Sequence, residues 1–531
     1  MFSPTLVHQY LSRSAARYPN KEALVCGEER WTYARLETAS DRIAASLQSI
    51  GVSRHDRAII FLDNSAEAVA SLYGVLKAGG TFVILNGGLK AKKLGYIVRD
   101  SGASLIITHT DKAQTVAEAL QERADDVSIV WAGDQRAASE FFGPRSVPWE
   151  ALVNGPAAPD GKRGRAGVSI DQDLAALIYT SGSTGEPKGV MSSHANMVSA
   201  ARSIIQYLEN TPDDIILNVL PLSFDYGLYQ VIMALMFGGT VVLEKSFAFP
   251  VKTLELIKRE RVTGFPIVPT IAAYLLRLKN LDCFDLSSLR YLTNTAAALP
   301  ASYIQRLRSL LPKAKLFSMY GLTECKRVAY LPPEELDRRP LSVGRAIPNC
   351  EVMVVDEQGN EVAPGQAGEL IVRGSNVMRG YWNAPELTGR VFRTRGIAGH
   401  RYLYTGDVFT TDEDGFLFFV GRKDDMIKTK GERVSPREIE NTLCELKGVA
   451  EAAVIGVPDE ILGQAIKVFV VRVPGSDLEV RDVLRHCHES LEPFKTPKHV
   501  EFVGNLDKGP NGKVDKKALR SRVVHSGSAE R

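Results

Sequence analysis

The sequence predicts an α/β protein: a large N-terminal domain of mainly parallel sheets covered by helices, with a small β-rich subdomain, followed by a small α+β C-terminal domain. Three observations predict it. Through the first four-fifths of the chain, short apolar runs of strand length alternate with segments of helical spacing. From about Val352 short strands separated by turn signals take over. After Asp424 a compact set of helices and strands closes the chain.

In order, Ala34–Ile50 carries apolar residues at helical spacing, Arg57–Leu62 reads as a strand, and Ala66–Ala78 as a helix stopped by Gly79 and Gly80. Thr81–Leu85 is the next strand. Residues 154–170, rich in Gly, Ala, Pro and Arg, read as a surface loop, and Leu174–Tyr179 as a buried strand. The alternation resumes with Ala195–Leu208, Ile215–Leu220, Gln230–Phe237, Thr240–Leu243, Thr253–Arg261 and Gly264–Val268. Beyond Val352, Asp356–Gly359, Ala363–Gly365 and Asp412–Gly415 are hairpin turns. Strand Phe416–Val420 runs into a polar joint, Gly421–Ile427. The boundary near Asp424 divides 1–423, with its β-rich part at about 345–423, from 424–531. In the last part Pro436–Glu445 and Leu478–Leu491 read as helices. Ala450–Val457, Ile466–Val473 and Val500–Phe502 read as strands, and Val524–Arg531 as a disordered tail.

The chain has 531 residues, 44% of them hydrophobic and 24% charged, enough apolar material for large cores in more than one domain. A net charge of +3, from 65 basic and 62 acidic residues, argues against nucleic acid or a membrane surface as the main partner. The longest apolar stretch, Val219–Leu243, is interrupted by Pro221, Asp225, Gly238 and Gly239 and reads as buried helix and strand, not a membrane span. None of the six cysteines forms a Cys-x-x-Cys pair, so no zinc site or disulfide framework is expected. His486-Cys487-His488 lacks a second ligand pair and reads as helix surface. Without a secretory leader, a reducing, cytoplasmic location is the expectation.

The strongest chemical signal is Tyr179–Val190. Thr180, Ser181, Gly182, Ser183, Thr184 and Gly185 are all small or hydroxylated, and Lys188 follows. Such a loop exposes backbone N–H groups and hydroxyl donors to polyphosphate. It is not a P-loop, because Lys188 lies between Pro187 and Gly189 and no Gly-Lys-Ser/Thr opens a helix. Glu186–Gly189 reads as a turn, and the strand before the loop argues against a flexible Ser/Gly linker. Further along, Tyr320-Gly321-Leu322-Thr323-Glu324 follows an apolar run. A tyrosine there can stack on a base, a threonine can donate to phosphate and a glutamate can hold Mg2+. Tyr404–Asp407 places a carboxylate at a turn within reach of ribose hydroxyls, Arg422 could reach the same ribose, and Pro510–Val514 puts Lys513 on a tight turn.

With these motifs in this order, nearly the whole chain resembles the adenylate-forming superfamily of acyl-CoA synthetases, peptide-synthetase adenylation domains and luciferases. Trp31–Leu36, Gly368–Leu370 and Gly421–Asp425 complete the ordered set. The resemblance implies a two-step reaction. A carboxylate attacks the α-phosphate of Mg·ATP to give an acyl-adenylate and pyrophosphate, and a thiol then takes the acyl group. It implies roles for matched residues: Thr180–Gly185 and Lys188 for the phosphates, Thr323 for the α-phosphate and Glu324 for magnesium. Asp407 and Arg422 fall on the ribose, while Tyr320 keeps the base-stacking reading of its residue type. Lys513 falls at the bridge between carboxylate and α-phosphate. It further implies a mobile C-terminal domain with its hinge at Asp424, and a loop, Lys430–Pro436, whose Gly431 lines the thiol tunnel.

The acid is less legible. Asp225 and Tyr226 fall on one wall of its pocket, Asn294, Thr295 and Ala296 on another, and Arg327 on the wall opposite Asp225. Phe224-Asp225 has the flavour of adenylation domains whose aspartate grips an ammonium, although an exposed Asp225 could instead cap a helix. Arg327 could neutralise Asp225 or hold a second carboxylate. Amino, fatty, aryl and dicarboxylic acids all stay open. The thiol is expected to be that of CoA, or of phosphopantetheine on a separate carrier protein. A luciferase-like oxygenase is the alternative of another class.

Overall fold

Two large sheets and one small sheet carry the chain. The structure is a computed structural model and describes residues 3–121, 126–134, 145–155, 169–181, 186–278, 281–396, 399–429, 432–459, 461–508 and 513–526. No helix among them is long and apolar enough to cross a membrane.

The first large sheet has eight strands. At its centre Thr81–Ile84, Arg57–Phe61, Leu105–His109 and Ser128–Ala132 run parallel. These strands are short apolar runs rather than alternating ones, because both faces are covered: Ala58, Ile59, Ile60 and Phe61 are all fully buried. Helix Tyr33–Ser49 starts at Thr32, whose hydroxyl accepts from the Arg35 N–H, and buries Leu36, Ile43 and Leu47. It presses against helix Ala66–Lys77 at Gly74, where a Cβ would come within 2.7 Å of Ile43 Cβ.

Next to Thr81–Ile84, strand Leu174–Ser181 joins in parallel and returns as the antiparallel strand Pro187–Ser193. The turn expected at Glu186–Gly189 is corrected here, since Pro187, Lys188 and Gly189 are already in the return strand. Proline is tolerated because the first residue of a strand can lack an N–H. The loop between the strands, Gly182, Ser183, Thr184 and Gly185, lies outside the described residues, as does the side chain of Ser181.

The second large sheet changes character along its width. Glu22–Cys26, Thr240–Leu243, Ile215–Asn218, Gly264–Ile267, Tyr291–Asn294 and Lys315–Tyr320 are parallel. Beyond Lys315–Tyr320 every pairing is antiparallel, through Ala329–Leu331, Ser342–Ala346, Leu417–Arg422, His400–Thr411, Gly368–Gly374 and Cys350–Val355. The β-rich stretch therefore continues the edge of the parallel sheet. Helix Asp225–Phe237 begins five residues before the expected Gln230. It is buried on all sides, so no polar face marks its start.

The small sheet pairs Glu432–Val434, Ile427–Thr429, Gly463–Arg472 and Val449–Asp459 antiparallel, with His499–Val503 parallel to Gly463–Arg472. Alternation along Val449–Asp459 sends Val454 towards Ile439, Leu443, Val483 and Cys487 on one face. Ala453 and Ile455 face Leu519 on the other. Two sequence readings are corrected. Val524 to Ser526 end the helix Lys516–Ser526 rather than opening a tail. Cys487 of the His-Cys-His run faces the core, while His486 Nε2 lies 2.9 Å from the Thr442 carbonyl. No group of described residues could hold a metal through three His, Cys, Asp or Glu side chains, and all six cysteines are free.

His194 ties the N-terminus to the first large sheet. It opens helix His194–Leu208, and its Nδ1 accepts from the Val7 N–H at 3.2 Å, one of the otherwise unpaired donors at the start of helix Val7–Arg17. Burial pushes its pKa from 6.5 down to about 4. A depressed folded-state value means that the stability it contributes is present above pH 6.5 and is lost as pH falls towards 4. Between pH 7 and 4.5 this residue should account for about 2–3 kcal/mol of lost stability. Urea unfolding of His194→Asn should show a shallower pH dependence by that amount, and parallel curves for the two proteins would refute the assignment.

Candidate active site

The carboxyl end of strand Lys315–Tyr320 is where a parallel sheet offers a ligand site. The chain folds there into a tight loop. Val328 N donates to Tyr320 O at 2.9 Å and Cys325 N to Leu322 O at 3.0 Å. Gly321 lies against the loop's return, where a Cβ would stand 3.0 Å from Arg327 Cα and collide with the Lys326 carbonyl. Asn376 clamps the other side, its Nδ2 donating to the carbonyls of Cys325 at 2.9 Å and Arg327 at 2.8 Å. Between these anchors Lys326 adopts a left-handed φ of 57°. Thr323 and Glu324 are half-buried on the same loop.

Tyr320, Asp407 and Arg422 are brought together. The Tyr320 hydroxyl donates to Asp407 Oδ2 at 2.5 Å, and Arg422 Nη1 stands 2.7 Å from Oδ1. Asp407 and Arg422 are register partners on neighbouring strands, which fixes the ion pair. Asp407 is 4% exposed, and its Oδ1 is buried with Arg422 as its described polar partner. Burial pushes the Asp407 pKa up, while Arg422, Tyr320 and Lys513 hold it down. The Tyr320 phenol is driven well above its usual value by burial and stays protonated as the donor.

Lys513 reaches this site from the far end of the sequence. The bridge Lys508↔Val514 and helix Lys516–Ser526 hold the backbone around it. Solvent reaches the side chain, yet the protein packed around the ammonium lowers its pKa. Asp407, Asp225 and Glu324 oppose that shift, and Arg422 adds to it. The lysine therefore senses Asp407, Arg422, Asp225 and Glu324 at once.

Thr180 and Lys188 face each other across the hairpin. Strand Gly380–Tyr381 pairs with the return strand, placing Tyr381 opposite Val190. The Tyr381 hydroxyl donates to Glu324 Oε1 at 2.8 Å, and Lys188 Nζ lies 5.9 Å from the Tyr381 ring centre. Tyr381 thus links the two large sheets, and the sequence reading missed it; the turn-rich run Gly380-Tyr381-Trp382-Asn383 was the available signal. A single oriented carboxylate fits Mg2+, which is commonly held by one or two carboxylates plus substrate phosphates. Glu324 would hold the ion, and its chemistry there would be to draw charge from the phosphate oxygens.

On the acid side, Asp225 is 9% exposed and is the first residue of its helix, where Phe224 and not Asp225 holds the cap position. The exposed helix-cap reading is therefore wrong. Tyr226 gives its hydroxyl to Thr293, 2.8 Å from the carbonyl, and forms wall rather than a free recognition group. Asn294 and Thr295 are buried at the end of strand Tyr291–Asn294. Arg327 makes no described ion pair with Asp225 and stands 5.0 Å over the Tyr226 ring. Lys326 and Tyr229, which the sequence reading did not name, are buried here too.

Asp424 sits in an exposed turn in which Asp425 N and Met426 N both donate to Arg422 O, at 3.0 and 3.1 Å. Ser435 Oγ donates to Val420 O across the joint at 2.5 Å. Gly431, Asn511 and Gly512 lie outside the described residues.

The profile of the AMP-binding enzyme family matches residues 11–382, and that of the AMP-binding enzyme C-terminal domain matches 438–513. The chain belongs to the AMP-binding enzymes. It is 33% identical to a 3-[(3aS,4S,7aS)-7a-methyl-1,5-dioxo-octahydro-1H-inden-4-yl]propanoyl:CoA ligase of Rhodococcus jostii (strain RHA1), covering 97% of this chain and 98% of that one. The crystal structure of ATP-bound MatB from Rhodopseudomonas palustris superposes with a TM-score of 0.87 at 29% identity, covering 98% and 99% of the two chains. The anthranilate CoA ligase AuaEII in complex with anthranoyl-AMP superposes at 0.89 with 28% identity, covering 99% of each.

In this AMP-binding enzyme Tyr320→Phe keeps the ring but leaves Asp407 with Arg422 as its only strong partner beside Lys513. Urea unfolding at pH 7 should show a loss of about 1–3 kcal/mol; an unchanged midpoint would show that the short contact carries no stability.

Proposed function

We propose that this protein is an AMP-forming acid-CoA ligase. It activates a carboxylic acid with ATP and passes the acyl group to the thiol of CoA. The observation that carries the reading is the convergence of Lys513 with Asp407, Arg422, Asp225 and Glu324, residues scattered over nearly 300 positions of sequence. Its relatives by sequence and structure include CoA ligases, one caught with its acyl-adenylate.

In the first step a carboxylate oxygen of the acid bonds to the α-phosphorus of ATP. The bond to the bridging oxygen breaks, and pyrophosphate leaves with that electron pair. Two anions must approach, so the chain supplies cations and donors: Lys513 between carboxylate and α-phosphate, Thr323 at the α-phosphate, and Thr180–Gly185 with Lys188 at the leaving phosphates. Asp407 and Arg422 fix the ribose, so the α-phosphorus meets the acid in one orientation. Tyr320 offers its ring to the base while its hydroxyl stays on Asp407. In the second step the thiol sulfur bonds to the acyl carbon, the carbon–oxygen bond to AMP breaks, and the thiol proton is lost to solvent. The Asp424 hinge turns Lys513 away between the steps and brings the Gly431 loop in. A phosphopantetheine thiol on a separate carrier protein would present the same chemistry.

Lys513→Ala should lose ATP–pyrophosphate exchange by about 100-fold or more, yet still convert supplied acyl-adenylate and CoA to thioester; unchanged exchange would overturn the role. Gly431→Trp should do the reverse, with exchange retained and thioester output stopped. Normal thioester output from that variant would remove both the tunnel and the swing.

A further inference from the structure

Between helix Asp225–Phe237 and the loop after strand Lys315–Tyr320, several buried polar atoms lack partners. Lys326 is 4% exposed and its Nζ makes no hydrogen bond. The Tyr229 hydroxyl, Arg327 Nε and Asn294 Oδ1 are buried and unpartnered as well. The Lys326 ammonium stands 5.6 Å from the centre of the Tyr229 ring, and Arg327 lies over Tyr226. Asp225 is the carboxylate that acts most strongly on Lys326, yet the two form no described ion pair. The same Asp225 also acts on Lys513.

Burying an unpaired ammonium is strongly unfavourable, and a fold that needed only packing would place an apolar side chain there. Lys326 is instead pinned from both sides, by Asn376 and by the approach of Gly321, in a backbone conformation that side chains rarely adopt. Lys326 and Arg327 face Asp225, with Glu324 acting on Lys326 more weakly, and neither basic side chain makes a described ion pair with either carboxylate. We infer that the acid activated here carries a second anionic group, such as a distal carboxylate, and that Lys326 with Arg327 beside it binds that group. The inference rests on the acid-CoA ligase reading and names its substrate class. The pair sets specificity, because an uncharged tail would leave Lys326 Nζ and Arg327 Nε without a hydrogen-bond partner. An amino group on the same substrate would meet Asp225, so simple dicarboxylic acids and acidic amino acids share the chemistry.

The test measures AMP release by the full chain with ATP, Mg2+ and CoA. The panel holds monocarboxylic acids, dicarboxylic acids of matched length, their monomethyl esters, and neutral and acidic amino acids. The expected best substrate carries a second carboxylate, with kcat/KM about 10-fold or more above its monomethyl ester. Lys326→Met should lose about 10-fold or more on that substrate, mainly in KM, while activity on the ester holds or rises. Lys326→Arg should keep most of the preference. If Lys326→Met does not fold, Lys326→Met/Asp225→Asn removes both charges and should show the same shift. A best substrate with an uncharged tail, a neutral amino acid, or an equal loss on acid and ester would overturn the inference while leaving the ligase reading intact. Activity on no acid of any class would overturn both.

Discussion

A carboxylate with 4% exposure is driven towards its neutral form by burial, and only nearby cations and donors keep it useful as an acceptor. Asp407 receives them from three separate stretches of chain: Tyr320 from the end of a parallel strand, Arg422 from an antiparallel neighbour and Lys513 from near the C-terminus. The parallel sheet, its antiparallel extension and the C-terminal region thus meet on one side chain. The rest of the site follows from that meeting. Arg422 is two residues from the Asp424 turn, and its carbonyl also accepts backbone N–H groups of that turn, so the Asp407 ion pair and the joint share a residue.

The change from parallel to antiparallel pairing at Lys315–Tyr320 creates the space for this site. A parallel strand must hand its chain to a crossover, whereas the strand Ala329–Leu331 returns directly beside it. The connecting loop is therefore confined, and Asn376 and Gly321 fix it from both sides. Glu324, Lys326 and Arg327 leave it in different directions. Glu324 reaches Tyr381 on the other sheet, while Lys326 and Arg327 turn towards the aromatic face of helix Asp225–Phe237.

Most of the alternating architecture was readable because covered parallel strands leave short apolar runs and their helices leave periodic ones. Helix Asp225–Phe237 was half missed for the opposite reason, since an element buried on every side has no polar register to read. Pro187–Gly189 looked like a turn because the pairing that makes it a strand is with residues before the loop. At the site, motif residues such as Asp407, Glu324 and Lys513 were visible through their order in the chain. Tyr381, Asn376 and Lys326 were not, because their meaning lies in contacts with distant residues. The solvent exposure expected for Asp225 failed likewise, since burial is a property of the packing around it.

The charge environment of Asp407 also couples that side chain to where Lys513 and the C-terminal region stand. Lys513 is one of the groups holding its carboxylate down, and by reciprocity the carboxylate favours keeping Lys513 in place. In the proposed cycle, turning Lys513 away removes one cation from beside Asp407 and leaves Arg422 and Tyr320 to hold the carboxylate ionised. Departure of the lysine would then cost an attraction that the thiol-admitting orientation has to replace, so the balance between the two orientations is set in part by one electrostatic latch.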